Sequence, residues 1–318
     1  MPAIGRPEKG LCRPLASARR TRSKQPMPEL PEVETVMRGL RPVLEGRRIT
    51  SVELRRSGLR FPFPADFARR LEGRRIESLA RRAKYIVAAV EGGDNLLIHL
   101  GMTGRFTVLT NEDTRNLGEF YFESGASEAG NGPHDHVAFT LENQTRVIYT
   151  DPRRFGVLDL FRDGDPHRLL QGIGVEPLGN GLHAGYLAER FAGKSAPLKA
   201  ALLDQRIIAG LGNIYVSEAL HRSRLSPRRK AGTLARKSAP DPRLDTLVRH
   251  IRDILNEAIA AGGSTLQDFA HTDGTAGAFQ QRFAVYDREG EACMSCGSAI
   301  KRLVQAGRST FYCGACQK

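Results

Sequence analysis

A chain of 318 residues has room for two ordinary domains and a small appendage, and 40% hydrophobic residues can build real cores. Forty-eight Lys and Arg against 35 Asp and Glu leave a formal net charge of +13, which points to a polyanionic partner, most often nucleic acid. No apolar run reaches about 18 residues and no hydrophobic leader opens the chain, so neither a membrane-spanning helix nor a secretory signal is expected.

Residues 1–26 set Arg6, Lys9, Arg13, Arg19, Arg20, Arg22 and Lys24 against Glu8, with scattered prolines and no periodicity. They read as a disordered extension: a targeting segment, a basic arm, or a stretch upstream of a true start at Met27. Order begins at Met27. Pro31 suits a first helical turn, and Val33, Val36, Met37, Leu40, Val43 and Leu44 follow at helical spacing until Gly46. Short apolar or alternating runs follow at 49–54, 76–79, 85–90, 96–100, 106–109, 120–122, 137–141, 146–149 and 157–161. Rich in β-branched residues and punctuated by Gly, Asn and Asp, they predict many strands, hence a sandwich or barrel. Residues 111–133, polar and glycine-rich around 120–122, predict a long excursion.

Gly172–Asn180 reads as a linker. Beyond it, helices are predicted over 186–191, 198–209, 214–221 and 244–261, with a basic, irregular stretch at 222–240. A glycine-rich loop occupies 262–290 and gives way to an apolar segment at 283–286. The domains expected are therefore 1–26 as extension, 27–171 as a β domain, 172–180 as linker, 181–284 as a helical domain and 285–318 as a terminal module.

That module holds Cys293-x-x-Cys296 and Cys313-x-x-Cys316, with sixteen residues between the pairs. Each pair chelates from a tight knuckle, and four thiolates complete a tetrahedral Zn2+ site. Two predicted strands, 299–304 and 309–312, form a hairpin between them. So short a module lacks an apolar core, so one structural zinc must stabilise it. The pairs also favour a reducing, intracellular setting, and the hairpin carries Arg302 and Arg308, suited to phosphate. Cys12 has no partner and no assigned role. At the other end, Pro28-Glu-Leu-Pro-Glu-Val-Glu34 puts three acids in a first helical turn; by composition alone they complement the helix dipole.

The segment M-P-E-L-P-E-V-E-T at 27–35 resembles the N-terminus of the formamidopyrimidine-DNA glycosylase family, bacterial DNA repair enzymes that remove oxidised purines. R-R-A-K-Y at 81–85, H-L-G-M-T-G at 99–104, H-D-H-V at 134–137, D-P-R-R-F-G at 151–156, G-L-G-N-I-Y-V-S-E at 210–218, D-G-T-A-G-A-F at 273–279 and the closing R-S-T-F-Y-C resemble it too, in order. The resemblance implies an α+β multidomain fold: an N-terminal two-layer β-sandwich with flanking helices, a C-terminal helix–two-turn–helix domain and a β-hairpin zinc ribbon. It implies a bifunctional glycosylase and apurinic/apyrimidinic-site lyase that acts on double-stranded DNA containing 8-oxoguanine or formamidopyrimidines. A cytoplasmic, nucleoid-associated bacterial monomer with no nucleotide cofactor follows from the same likeness.

The resemblance also assigns residues. Pro28, freed of the preceding Met, is the imino nucleophile that forms a Schiff base with the sugar. Glu29 is the general acid, Lys84 the proton donor in β-elimination, and Arg308 the arginine tied to δ-elimination and phosphate grip. Met102, Arg153 and Phe155 fill the hole left by a flipped nucleotide. His134, Arg153, Lys194 and Asn213 contact DNA, Asn213 with nearby backbone N–H groups at a helix start. Read without the resemblance, Lys84 is a solvated strand residue, Arg308 a surface charge and Asn213 a helix N-cap.

The chain departs from the family pattern in its extension, its longer 111–133 excursion, and Thr275 and Ala276 in the loop expected to meet the damaged base. An acylated Pro28 has no nucleophilicity, so the extension bears directly on activity. Three alternatives stand beside this reading: endonuclease VIII, a relative that prefers oxidised pyrimidines; a damage-binding protein that does not cut; and a zinc-ribbon adaptor. Leu30 and the Met102, Arg153, Phe155 set favour the purine enzyme over the first. Pro28, Glu29 and Lys84 together argue against the last.

Overall fold

The computed structural model describes residues 27–118, 130–235, 241–264 and 279–318. Helix α1, Leu30–Leu44, opens the described chain with Pro31 in its first turn, and buries Val33, Val36, Met37 and Leu40 on one face. Nine strands follow: β1 Ile49–Leu54, β2 Ile76–Arg82, β3 Tyr85–Val90, β4 Asp94–His99, β5 Arg105–Leu109, β6 Thr114–Leu117, β7 Asp135–Leu141, β8 Arg146–Thr150 and β9 Val157–Arg162. They form two antiparallel sheets, ordered β1-β7-β8-β5-β6 and β2-β3-β4-β9. Strand β3 shows why. Ile86, Ala88 and Val90 point inward at every second position, while the intervening residues stay half-exposed. Between the sheets and α1 lies one core that includes Leu40, Ile49, Phe67, Ile86, Phe106, Val137 and Tyr149.

A second core gathers the helices α3 Ala184–Phe191, α4 Leu198–Leu203, α5 Asn213–Arg222 and α6 Pro242–Ala260. Helix α6 starts at Asp241, whose carboxylate accepts the Arg243 N–H at 3.0 Å, and buries Leu244, Leu247, Ile251, Ile254 and Leu255 on one stripe. The terminal hairpin, β10 Ile300–Gln305 with β11 Arg308–Cys313, is not a separate body. Cys293, Ile300, Phe311 and Cys313 belong to the helical core. Helix α1 packs against both β2 and α6, so the N-terminal turn of α1 sits at the seam of the two halves.

Three differences from expectation have physical causes. The helix expected over 198–209 stops at Leu203. Beyond it Ile208 pairs in parallel with Val175 of the linker, the Gly174 N–H donating to the Gln205 carbonyl and the Ala209 N–H to that of Val175. Tertiary pairing there overrides an apolar run's helical preference. Helix α2, Phe67–Leu71, is too short to leave a periodic trace. Strand β6 forms at the start of the expected excursion, while the strand expected at 120–122 lies outside the described residues, as do 1–26. Among the described residues, no helix is long and apolar enough to cross a membrane.

Candidate active site

Glu29 stands just before α1, and its carboxylate is buried against the start of α5. Oε1 accepts the Ile214 N–H at 3.0 Å. Oε2 is buried and has no hydrogen-bond partner among the described residues. Gly212 makes this arrangement possible: a Cβ there would come within 2.1 Å of the Glu29 carboxylate carbon. Two helix N-termini thus converge on one carboxylate, which would favour its charged form. Burial outweighs them and Lys84 together, with Glu32 adding like charge, and Glu29 is pushed up to about 7. Pro28, the adjacent residue, is buried as well.

The acids of the first turn have distinct tasks. Glu32 Oε2 accepts the Glu29 N–H at 2.9 Å, while Oε1 accepts the Tyr215 hydroxyl at 2.6 Å and both the N–H and hydroxyl of Ser264 at 2.8 Å. One buried carboxylate therefore joins α1, α5 and the chain beyond α6. Glu34 instead pairs with Arg38 and Arg81, which hold its carboxyl below the usual range despite partial burial.

Lys84 lies on a two-residue turn between β2 and β3, not on a solvated strand. The turn needs a left-handed residue at Ala83, φ 55°, where glycine is usual. Glu176 holds it there. Its carboxylate accepts the Ala83 N–H at 2.6 Å while pairing with Arg81 at 2.8 Å and Arg82 at 2.7 Å. Burial lowers the pKa of the Lys84 ammonium, Glu29 opposes that, and Arg308 adds to it. Arg308 is exposed at the start of β11. Its neighbour Ser309 is fixed by two donors to one carbonyl, Lys199 Nζ at 2.8 Å and Asn213 Nδ2 at 3.1 Å. Glu29, Lys84 and Arg308, far apart in sequence, are thereby brought into one electrostatic neighbourhood. Asn213 is not the N-cap, as its type suggests. Gly212 takes that position, the Asn213 amide holds Ser309, and the Ile214 N–H is engaged by Glu29.

Met102 lies on one of two adjoining loops of the sandwich, and Arg153 and Phe155 on the other. The Arg153 guanidinium lies 4.7 Å over the Phe155 ring, and both side chains are exposed. Met102 is half-buried on the β4–β5 turn. The two loops are fastened by Thr103, whose hydroxyl donates to buried Asp151 and accepts the Arg153 N–H at 3.2 Å. Gly101 packs so closely on the other loop that a Cβ would fall 2.5 Å from the Gly156 nitrogen. His134 is exposed beside the same loop, its carbonyl accepting the Asp151 N–H at 3.0 Å. Lys194, half-buried after α3, stands on the other half of the molecule.

The four terminal cysteine sulfurs lie within 4.8 Å of one another and are unpaired as disulfides. Cys293 and Cys316 sulfurs are 3.9 Å apart, Cys296 and Cys313 sulfurs 3.5 Å. Four Zn–S bonds in a tetrahedron require about 3.8 Å. Geometry and donor softness therefore fit one zinc ion, which these four residues would hold. Because the ribbon's inner residues belong to the helical core, Cys313→Ser or exhaustive chelation is expected to release the hairpin and lower the melting temperature by on the order of 10 °C. Calorimetry with metal analysis checks this; a metal-free chain melting at the unaltered temperature would contradict it.

Several further residues near the site leave little trace in the sequence. Lys199 is buried in α4, where burial lowers its pKa to about 7 against the opposing pull of Glu29. A lysine inside the apolar run L-K-A-A-L-L was the available clue. His99 is driven down to about 4 by burial and by Lys84 and Arg60, and accepts the Gly101 N–H at 3.0 Å. Glu218 of α5 accepts the N–H groups of Ala284, Val285 and Tyr286, securing the chain that leads to the ribbon.

Comparison with known proteins agrees along the whole described chain. Residues 27–158 match the formamidopyrimidine-DNA glycosylase N-terminal domain, 173–270 the formamidopyrimidine-DNA glycosylase H2TH domain, and 290–318 the zinc finger found in FPG and IleRS. The chain is similar to formamidopyrimidine-DNA glycosylase of Methylobacterium sp. (strain 4-46), 58% identical over 298 residues, 92% of this chain and 99% of that protein. It is 55% identical to the Mesorhizobium japonicum protein of the same name, across 92% of this chain and 100% of that one. Among solved structures, the MutM (Fpg) protein from Thermus thermophilus superposes with a TM-score of 0.74 at 40% identity, covering 91% and 98% of the two chains. Lactococcus lactis Fpg in complex with abasic-site DNA gives 0.76 at 30%, covering 92% and 100%. With its sandwich, its helical half and its four-cysteine ribbon in the same order, the chain belongs to the formamidopyrimidine-DNA glycosylase family.

Proposed function

We propose that the protein excises oxidised purines, 8-oxoguanine and formamidopyrimidines, from duplex DNA and then nicks the strand through a Schiff base on Pro28. The observation that carries this reading is the buried Glu29 carboxyl, titrating near neutrality, next to Pro28 and within the electrostatic reach of Lys84 and Arg308. A chain that begins at Pro28 offers a secondary amine. Such an amine titrates below a lysine, and the α1 N-terminus just behind it lowers it further. Its lone pair attacks the sugar C1′, the electrons of the glycosidic bond leave with the base, and the proton shed by the Pro28 nitrogen neutralises the departing base. Glu29 donates its proton to the ring oxygen as the ring opens, leaving a cationic iminium. The iminium withdraws electrons, so a C2′ proton is lost to solvent as the 3′ phosphate departs, and a C4′ proton is then lost through the conjugated system as the 5′ phosphate departs. Water then releases the sugar remnant from Pro28.

Arg308 is held at the ribbon turn to grip phosphate. Met102, Arg153 and Phe155 form a joined wedge to occupy the space of the flipped nucleotide, with His134, Lys194 and Asn213 as further DNA contacts. Support for an active form starting at Pro28 comes from the N-terminal family match beginning at residue 27. The relatives are spanned almost completely by 92% of this chain. The base-facing loop around 267–279, with Thr275 and Ala276, lies largely outside the described residues, so lesion preference rests on the family likeness.

The test gives a chain that begins at Pro28 a duplex carrying one 8-oxoguanine: free 8-oxoguanine and a nick with phosphates on both sides are expected, and an intact base would refute the proposal. Lys84→Gln should separate the steps. Cleavage of a preformed abasic site is expected to slow roughly 10²-fold while base release changes less, as quantified by base release and strand scission in parallel.

A further inference from the structure

Helix α5 grips the ribbon segment at three levels. Asn213 in its first turn holds Ser309, Glu218 holds the N–H groups of residues 284–286, and near its end His221 turns toward the metal centre. The Nε2 of buried His221 lies 3.5 Å from Cys293 Sγ. The four sulfurs are not equivalent. Cys296 faces water, whereas Cys293 is 3% exposed. Four thiolates on one Zn2+ leave two net negative charges, and the share on a dry sulfur is costly unless something donates to it. Cys313 Sγ is met by the Cys316 N–H at 3.4 Å; for Cys293 the facing group is the imidazole.

We infer that His221 donates its Nε2–H to the metal-bound Cys293 thiolate, an outer partner of the zinc that ties the ribbon to the helix whose other end holds Glu29. A metal-bound thiolate carries no proton, so the shared hydrogen belongs to the imidazole, and the Nε2–H tautomer is required. The bond draws charge from the sulfur, slows zinc loss and makes that sulfur a poorer nucleophile toward oxidants.

The test uses the full chain with His221→Phe, which fills the space without a donor, and His221→Gln, which keeps one. In His221→Phe, transfer of zinc to a chromogenic chelator should be about 10-fold faster. In the cobalt-substituted protein the thiolate-to-metal charge-transfer band should shift, and His221→Gln should restore most of both. Wild-type release and an unmoved band in His221→Phe would overturn the inference. So would equally fast zinc loss from His221→Gln and His221→Phe with no band shift in either, since that is the signature of packing alone. Should His221→Phe fail to fold, the unmutated protein loaded with 113Cd and labelled with 15N-histidine decides. A protonated Nε2 coupled to the metal nucleus supports the bond, and an Nδ1–H tautomer refutes it.

Discussion

A chain trimmed to begin at Pro28 is expected to cut lesion-bearing duplex at least on the order of 10³-fold faster than the full 318-residue chain, because loss of a nucleophile removes the whole covalent route. With Met27 attached, the Pro28 nitrogen is a tertiary amide whose lone pair is delocalised into the carbonyl. No rearrangement of the pocket restores its nucleophilicity. Binding should respond differently. Arg153, Phe155 and Arg308 do not depend on a free Pro28, so the two forms should bind duplex with comparable affinity unless the basic extension adds its own phosphate contacts. Single-turnover cleavage and equilibrium binding, measured side by side, check both halves. Equal cleavage by the two forms would place the chemistry elsewhere.

The second large effect belongs to Glu29. Glu29→Gln keeps the size and the Ile214 contact and removes the proton, so base excision should fall roughly 10²- to 10⁴-fold. Its pH profile is the sharper signature. Burial raises Glu29 to about 7, so the acid form is plentiful at neutrality and declines above it. Wild-type excision should therefore fall as pH rises through about 7, and that limb should vanish in the variant. Stability follows the same sign. The folded value lies above the unfolded 4.5, so the favourable contribution is complete below about 4.5 and lost as pH rises through about 7. Glu29→Gln should consequently lose less melting temperature than wild type between about pH 5 and pH 8. An unchanged high-pH limb in the variant would assign the titration to another group.

How much of this was legible in the sequence depends on the range of the interaction. The metal site was readable because its ligands come in two local pairs and its chemistry follows from residue type; the structure brings the four sulfurs together. The strands of the sandwich were readable because alternation is a property of neighbours, as in β3. The helix ending at Leu203 was not, since what stops it is a linker residue some thirty positions away. The site residues divide along the same line. Pro28, Glu29, Lys84 and Arg308 came through resemblance; their types and spacing alone pointed to a helix dipole and surface charges. Lys199, Glu32, Glu218 and His99 were not singled out. A buried lysine holding the Ser309 carbonyl, or a glutamate joining three segments, is specified by residues more than a hundred positions apart. Thr103 and Asp151 belong to the same class: their bond fastens two loops together, yet each alone reads as an ordinary turn residue.

The claim that Pro28 is the nucleophile is tested most directly by borohydride reduction of the reaction on a duplex with one 8-oxoguanine, followed by mass spectrometry of the trapped species. A single protein–DNA adduct is expected on the nitrogen of Pro28, in a chain whose first residue is that proline. An adduct on Lys84 or Lys199, or efficient strand cleavage with Pro28 still acylated, would contradict it.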